Sequence, residues 1–347
     1  MSRFALSSLR VPIVQAPMGG GASTPALAAA VAEAGGLGFL AAGYKTPDVV
    51  RADIDELRSL TRRPFGVNLF APPAPAGDGA AVARFAEALS AEAERYGAAL
   101  GEPQHDDDGW AAKLALVTEL GVPVVSFTFG CPAAGDIQDL RRAGAAVWVT
   151  VTTPAEAVAA AAAGADALVV QGTEAGGHRG SFDDAAPGEI GLLALLQLVA
   201  DAVDAPLVAT GGIATGRGIA AVLAAGASAA ALGTAFMRCP ESATAPAHRA
   251  AIAADGDTAL TRAFTGRTAR GIVNRWMREH PDAPSAYPDV HHVTAKVRAA
   301  ARAAGDPDGF HLWAGQAHAL AREEPAGRLV AALWDEARAA LRAAAGR

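Results

Sequence analysis

Two cysteines, Cys131 and Cys239, are all that the 347 residues hold, and neither has the CxxC or Cys/His spacing of a zinc site. A disulfide framework is excluded, and a reducing, cytoplasmic setting is expected. Basic excess is missing too: the formal net charge is −7 and the arginines are scattered, which argues against a nucleic-acid partner. The N-terminal stretch "MSRFALSSLRVPIVQAPM" lacks the charged, apolar and small-residue succession of a signal peptide. The longest apolar run, "AVAAAAAGADALVV", is broken by Asp166 and reads as helix, turn and strand, so no membrane span is expected.

What is present is a repeating rhythm. An Ala-rich segment, a glycine and a short apolar run recur in "AAAVAEAGGLGFL" (28–40), "TELGVPVVSF" (118–127), "LRRAGAAVWVTV" (140–151), "AAAAGADALVV" (160–170) and "VLAAGASAAAL" (222–232). Each glycine suits a helix C-terminus at positive φ, and runs apolar at nearly every position belong to strands covered on both faces. With "VPIVQAP" (11–17), "PFGVNLF" (64–70) and "APLVATGG" (205–212), about eight such units fill residues 1–235, the count and spacing of an α/β (β/α)8 TIM barrel. A doubly wound open sheet would need fewer strands and a full dinucleotide fingerprint after the first strand, where only "APMGGGAST" stands.

Between the third and fourth strands, "AAVARFAEALSAEAERYG" puts Val82, Phe85, Leu89 and Tyr96 on one face of an inserted helix, followed by the acidic turn "GEPQHDDDGW". Residues 236–325 lose the rhythm and are expected to form a helical lid over one end of the barrel. Residues 326–347 read as a helix packing back through Val330, Leu333, Trp334, Ala337 and Leu341.

In such a barrel the reactive groups follow the strands. Pro17, Met18 and Gly19 follow the first, Asn68 ends the third, Ser126 and Thr128 the fourth, and Gln171, Glu174 and His178 the sixth. The last two strands end in "TGGIATG" and "LGTAF", where Gly211, Gly212, Gly233 and Thr234 suit backbone binding of a phosphate. The amides of Asn68 and Gln171 can bond the edge of a heterocycle, or be satisfied by backbone. Phosphate loops and amides together point to a phosphate-bearing ring, with FMN the economical candidate.

His178, in the Gly-rich loop "QGTEAGGHRG", is the acid–base or anion-binding candidate. Its neighbour Arg179 reads either as a carboxylate clamp or as a solvated charge. His291 and His292 look like a metal pair but have no third ligand at helical spacing, so no metal is assigned. Cys131 has no sequence-adjacent histidine to make it a nucleophile.

"PIVQAPMGG", "FGVNLF", "SFTFGCP", "VVQGTEAGGHRG", "ATGGIATGRGIAAVLAAGASAAALGTAF", "FTGRTARGIVNRW" and "HLWAGQ" resemble the nitronate monooxygenases, formerly called 2-nitropropane dioxygenases, in their bacterial class I branch. The similarity runs from about residue 10 to the C-terminal helix. It implies a TIM-barrel flavoprotein with non-covalent FMN that oxidises alkyl nitronates, such as propionate 3-nitronate, with O2 to a carbonyl compound and nitrite, a detoxifying activity. By position, Asn68, Gln171, Gly176, Gly212 and the stretch Ala231, Leu232, Gly233, Thr234 would hold FMN, with Gly177 letting the loop pass beside it. His178 would lie against the nitronate.

One departure matters. Some class I members carry a histidine where this chain has Thr128, which can donate a hydrogen bond but cannot become cationic. The family also sets lid tyrosines and a lysine near its substrate, for which Tyr287 and Lys296 are the candidates here. Related barrels are NAD(P)H:quinone or enoyl-thioester reductases, so a reductase is the alternative, and a flavin-binding protein without turnover a third reading. The sequence leaves monomer and homodimer both open.

Overall fold

The computed structural model describes residues 3–73 and 78–346. Eight parallel strands form the expected TIM barrel: β1 (Ile13–Gln15), β2 (Phe39–Ala41), β3 (Gly66–Phe70), β4 (Val124–Thr128), β5 (Ala146–Val151), β6 (Ala167–Gln171), β8 (Leu207–Thr210) and β9 (Ala229–Leu232). They pair in the order β1-β9-β8-β6-β5-β4-β3-β2. A parallel bridge between Val14 and Leu37 joins the two ends, with Gln15 N–H donating to Leu37 O at 2.9 Å.

Each strand is covered on both faces, which is why the apolar runs are continuous rather than alternating. In β5, Ala146 and Trp148 point into the barrel beside Phe39 and Val208. Val147 faces the helical layer with Leu140, and Val149 and Val151 lie in the other outer cluster. Phe4, Leu6 and Leu9 pack against the inward cluster.

The C-terminal helix Ala326–Ala345 buries Leu329, Val330, Leu333 and Ala337. It crosses the helix Gly216–Ala224 so closely that a Cβ on Gly216 would lie 2.2 Å from Glu336 Cβ. There Glu336 accepts from Gly216 N–H at 3.1 Å, satisfying an orphan donor of that helix's first turn.

Two regions are more finely divided than the sequence pattern shows. The inserted helix after β3 is two helices, Gly79–Ala88 and Ser90–Tyr96, broken at Leu89 with φ −86° and ψ 3°. Leu89 N–H is shared between the Phe85 and Ala86 carbonyls, and Ser90 Oγ donates to Glu87 O at 2.6 Å, a local bond that competes with helix continuation. The lid does carry the helices Pro246–Ala253 and Asp289–Ala303, but it also adds a small antiparallel sheet. Strands β10 (Thr258–Thr261) and β11 (Ala269–Ile272) form its hairpin, and β11 pairs with β7 (Gly177–His178) from the loop after β6. The register sets Ala269 opposite His178, so a lid strand fixes the barrel loop that the sequence shows only as glycine-rich.

Candidate active site

At the carboxyl ends of the strands lies a cavity of about 430 Å³, walled below by the barrel and above by the lid. Pro17, Met18, Gly19, Asn68, Thr128, Gln171, Gly176, Gly177, His178, Gly211, Gly212, Ala231, Gly233 and Thr234 all line it. Residues scattered over more than two hundred positions thus meet because parallel strands deliver their ends to one face.

One side of the cavity is made of backbone. Gly212 sits at φ +65°, and a Cβ there would lie 3.0 Å from Glu174 Cβ. Gly233 opens towards Met18 and Ala16. The N–H groups of Gly212, Gly233 and Thr234 reach no protein acceptor among the described residues, which is the arrangement an anion completes. Gly176 lets the β6 loop run against the lid, because a Cβ would fall 2.4 Å from the Ala314 carbonyl carbon. These features fit a phosphate-bearing ring cofactor.

Asn68 is 3% exposed, and its Nδ2 donates to Ser126 O, Ser126 Oγ and Thr128 Oγ1. Its Oδ1 has no partner among the described residues. Gln171 is committed differently: Nε2 donates to His178 O at 3.0 Å, while Oε1 accepts from Gly180 N–H at 2.8 Å. Its amide therefore shapes the His178 loop.

The loop is stapled further by Arg179, which is neither solvated nor aimed at a ligand. Fully buried, its guanidinium donates to the carbonyls of Gln171, Gly172 and Gly188 at 3.0, 2.8 and 3.2 Å. Burial pulls its pKa down to about 10, so it stays charged at neutral pH. Glu174 likewise leaves the cavity. Its carboxylate accepts from Leu192 N–H at 2.9 Å and completes the N-terminus of the helix Leu192–Ala202.

His178 does face the cavity, with Nε2 2.8 Å from Thr265 Oγ1. Its ring lies among Phe129, Tyr287 and Trp313, at centroid distances of 5.6, 6.0 and 5.6 Å. Burial first, and then the Arg267 charge, push its pKa down to about 3. The imidazole is therefore neutral at pH 7, and an anion beside it would raise that value.

Three assigned residues are placed elsewhere. Leu232 points outward into the core between strands and helices, because the alternation of β9 sends Ala229 and Ala231 inward. Lys296 is exposed on the solvent side of the helix Asp289–Ala303, whereas Ala295, Arg298, Ala299 and Arg302 of that helix line the cavity. Tyr287 forms a wall rather than a lining: it packs on Phe129 and hydrogen-bonds Tyr44. The histidine pair also diverges. His291 stacks on Tyr44 at 4.1 Å in the cavity wall, while His292 turns to Asp106 at 2.6 Å.

Arg298, Arg302, His311, Thr265, Trp313 and Tyr44 were not selected from the sequence. None follows a barrel strand except Tyr44, three residues beyond β2; Thr265 lies in "FTGRTARGIVNRW" and His311 and Trp313 in "HLWAGQ", whereas Arg298 and Arg302 lie in neither stretch, and the packing of the lid brings all of them to the cavity.

Comparison with known proteins shows the family and the fold. The family model described as nitronate monooxygenase matches residues 3–336. The nitronate monooxygenase of Paraburkholderia phytofirmans is 42% identical over 338 residues, 94% of this chain and 92% of its own length. Among solved structures, nitroalkane oxidase from Streptomyces ansochromogenes superimposes with a TM-score of 0.94 at 55% identity, covering 97% of this chain and 99% of that one. FabK from Thermotoga maritima shares the fold at a TM-score of 0.77 and 28% identity, over 98% and 97% of the two chains.

Proposed function

The chain belongs to the nitronate monooxygenase family, and from that premise we propose that it is an FMN-dependent oxidase of alkyl nitronates, consuming O2 and releasing a carbonyl compound and nitrite. The observation that carries this reading is the pairing, in one cavity, of a backbone anion cradle with a neutral histidine set beside buried arginines. When bound, FMN supplies one-electron redox chemistry to the site. Gly212, Gly233 and Thr234 would hold its phosphate, and Asn68, Gly176 and Gly177 would lie along the ring.

The substrate is an anion, and the residues around His178 are arranged for one. Arg267 and Arg298 raise the positive potential at His178, so the nitronate oxygens are drawn to the imidazole and accept its N–H. Thr265 Oγ1 orients the ring, and the β11 ladder at Ala269 fixes its backbone. Thr128 offers a hydroxyl, and the cation that a histidine there would supply is replaced by arginine. Phe129, Tyr287, Trp313 and Tyr44 exclude water, which strengthens each of these contacts. In this division of labour residues 1–235 hold the flavin, 236–325 cover the substrate and 326–347 brace the barrel. The activity is detoxifying.

The test is oxygen uptake by the flavin-loaded protein on adding propionate 3-nitronate without nicotinamide. Uptake with nitrite release is expected. No uptake, together with anaerobic flavin bleaching by NADH or NADPH, would instead make the protein a reductase.

A further inference from the structure

The lid end of the cavity holds two guanidinium groups that have no carboxylate partner among the described residues. Arg298 and Arg302, one turn apart on the helix Asp289–Ala303, both line the cavity, and Arg298 is 5% exposed. Arg298 Nε donates to Thr294 Oγ1 at 2.9 Å and Nη2 to His291 O at 3.1 Å. Its Nη1 lies 3.0 Å from His311 Nδ1, and Arg302 Nη2 lies 3.1 Å from His311 Nε2. Among the described residues no carboxylate pairs with either arginine, whereas the buried Lys113 has Asp108 at 2.7 Å and Arg262 has Asp184 at 3.0 Å.

The contacts to His311 cannot both be satisfied. A guanidinium only donates, and a neutral imidazole has one accepting nitrogen, so one arginine always meets an N–H. A protonated His311 would be worse, adding a third cation to a buried cluster. An oxyanion between the three groups resolves the conflict, accepting from the arginine and the imidazole N–H that otherwise oppose each other.

We propose that Arg298, Arg302 and His311 form a carboxylate subsite that holds the far end of the substrate while His178 holds the nitronate. The subsite uses none of the cradle residues Gly212, Gly233 and Thr234, and its placement suits a short bifunctional molecule. The Trp313 ring neighbours both histidines, with its centroid 5.0 Å from that of His311 and 5.6 Å from that of His178. The role as substrate subsite rests on the nitronate reading, but carboxylate binding can be measured without turnover.

The experiment is calorimetric titration of the flavin-loaded protein with malonate, in the unmodified chain, Arg302→Gln and Arg302→Lys. Alongside it, kcat/KM is measured for a carboxylate-bearing and an uncharged alkyl nitronate. Malonate should bind the unmodified protein and bind Arg302→Gln at least about 10-fold more weakly, with the kcat/KM ratio of the two nitronates falling by a similar factor. Arg302→Lys, which keeps a cation, should retain most of both. Absent malonate binding, equal affinity in Arg302→Gln, or an unmoved substrate ratio would overturn the subsite. Inorganic phosphate binding there more tightly than malonate, and lost in Arg302→Gln, would overturn the carboxylate assignment in favour of a phosphate ligand. If neither nitronate is turned over by the unmodified protein, the oxidase reading fails while the malonate titration still decides the subsite.

Discussion

The two ends of the cavity are built from different material. At the end formed by the loops after β8 and β9, Gly212, Gly233 and Thr234 present backbone N–H groups that have no protein acceptor among the described residues. At the lid end, Arg298, Arg302, His311 and His178 do the work with side chains, several of them buried and electrostatically opposed. The difference suits their tasks. On the proposed reading, a cofactor phosphate would be matched by fixed backbone dipoles, while a substrate that arrives and leaves would be matched by side chains whose interactions change when it binds.

The contrast is tested most severely at the glycine end. Gly212→Asp would place a carboxylate and a Cβ where φ is +65° and Glu174 is already close, so the purified variant is expected to be almost flavin-free. Full flavin absorbance relative to protein would remove the phosphate from that loop. On the lid side, His178→Ala should keep its flavin and lose on the order of 10²–10⁴-fold in kcat/KM. Unchanged kinetics would take the imidazole out of the reaction. Flavin content thus reports on one end and turnover on the other.

A smaller effect sharpens the electrostatic side of the comparison. His178 and His248 have folded pKa values pushed down to about 3 and about 4, chiefly by burial. An unfolded histidine binds its proton near pH 6.5. The unfolded chain therefore holds more protons between those values, and stability is full above about pH 6.5 and declines as pH falls towards the folded values. The thermal midpoint should drop across that window. His178→Ala should flatten the drop, and a curve identical to the unmodified protein would contradict the buried neutral state. The smallest effect is expected at Lys296→Ala, an exposed site on the lid helix, where stability should move by less than about 0.5 kcal/mol. A loss of turnover there would bring the lysine back into the site.

Much of the barrel end was legible in the sequence for a physical reason. A parallel strand buried on both faces must be a short apolar run, a helix end at positive φ favours glycine, and catalytic groups follow the strands. Those rules placed Asn68, Gly212 and Thr234 at the cavity from local pattern alone. They failed at Glu174 because a loop carboxylate near a helix start serves as a cap, and the positional carry-over from the family failed at Leu232 because a residue at a strand end can still point to the outer face.

The lid side is different, since its residues are joined across the chain rather than along it. Nothing adjacent to Arg179 shows that it will be fully buried among carbonyls of residues 171, 172 and 188. Nothing near Lys296 shows that Arg298 of the same helix faces inward instead, because a helix with apolar residues on much of its surface does not declare which polar positions meet solvent.

The sequence by itself therefore determined the barrel, the glycine-rich loops after its last two strands and the presence of a histidine in the loop after β6, because each depends on backbone geometry encoded within a few residues. Only the tertiary structure decided which cations stand beside that histidine. Charge, tautomer and hydrogen-bond partners at Arg298, His311 and His178 are set by neighbours brought from distant parts of the chain, and burial fixes their electrostatics only once the lid is packed.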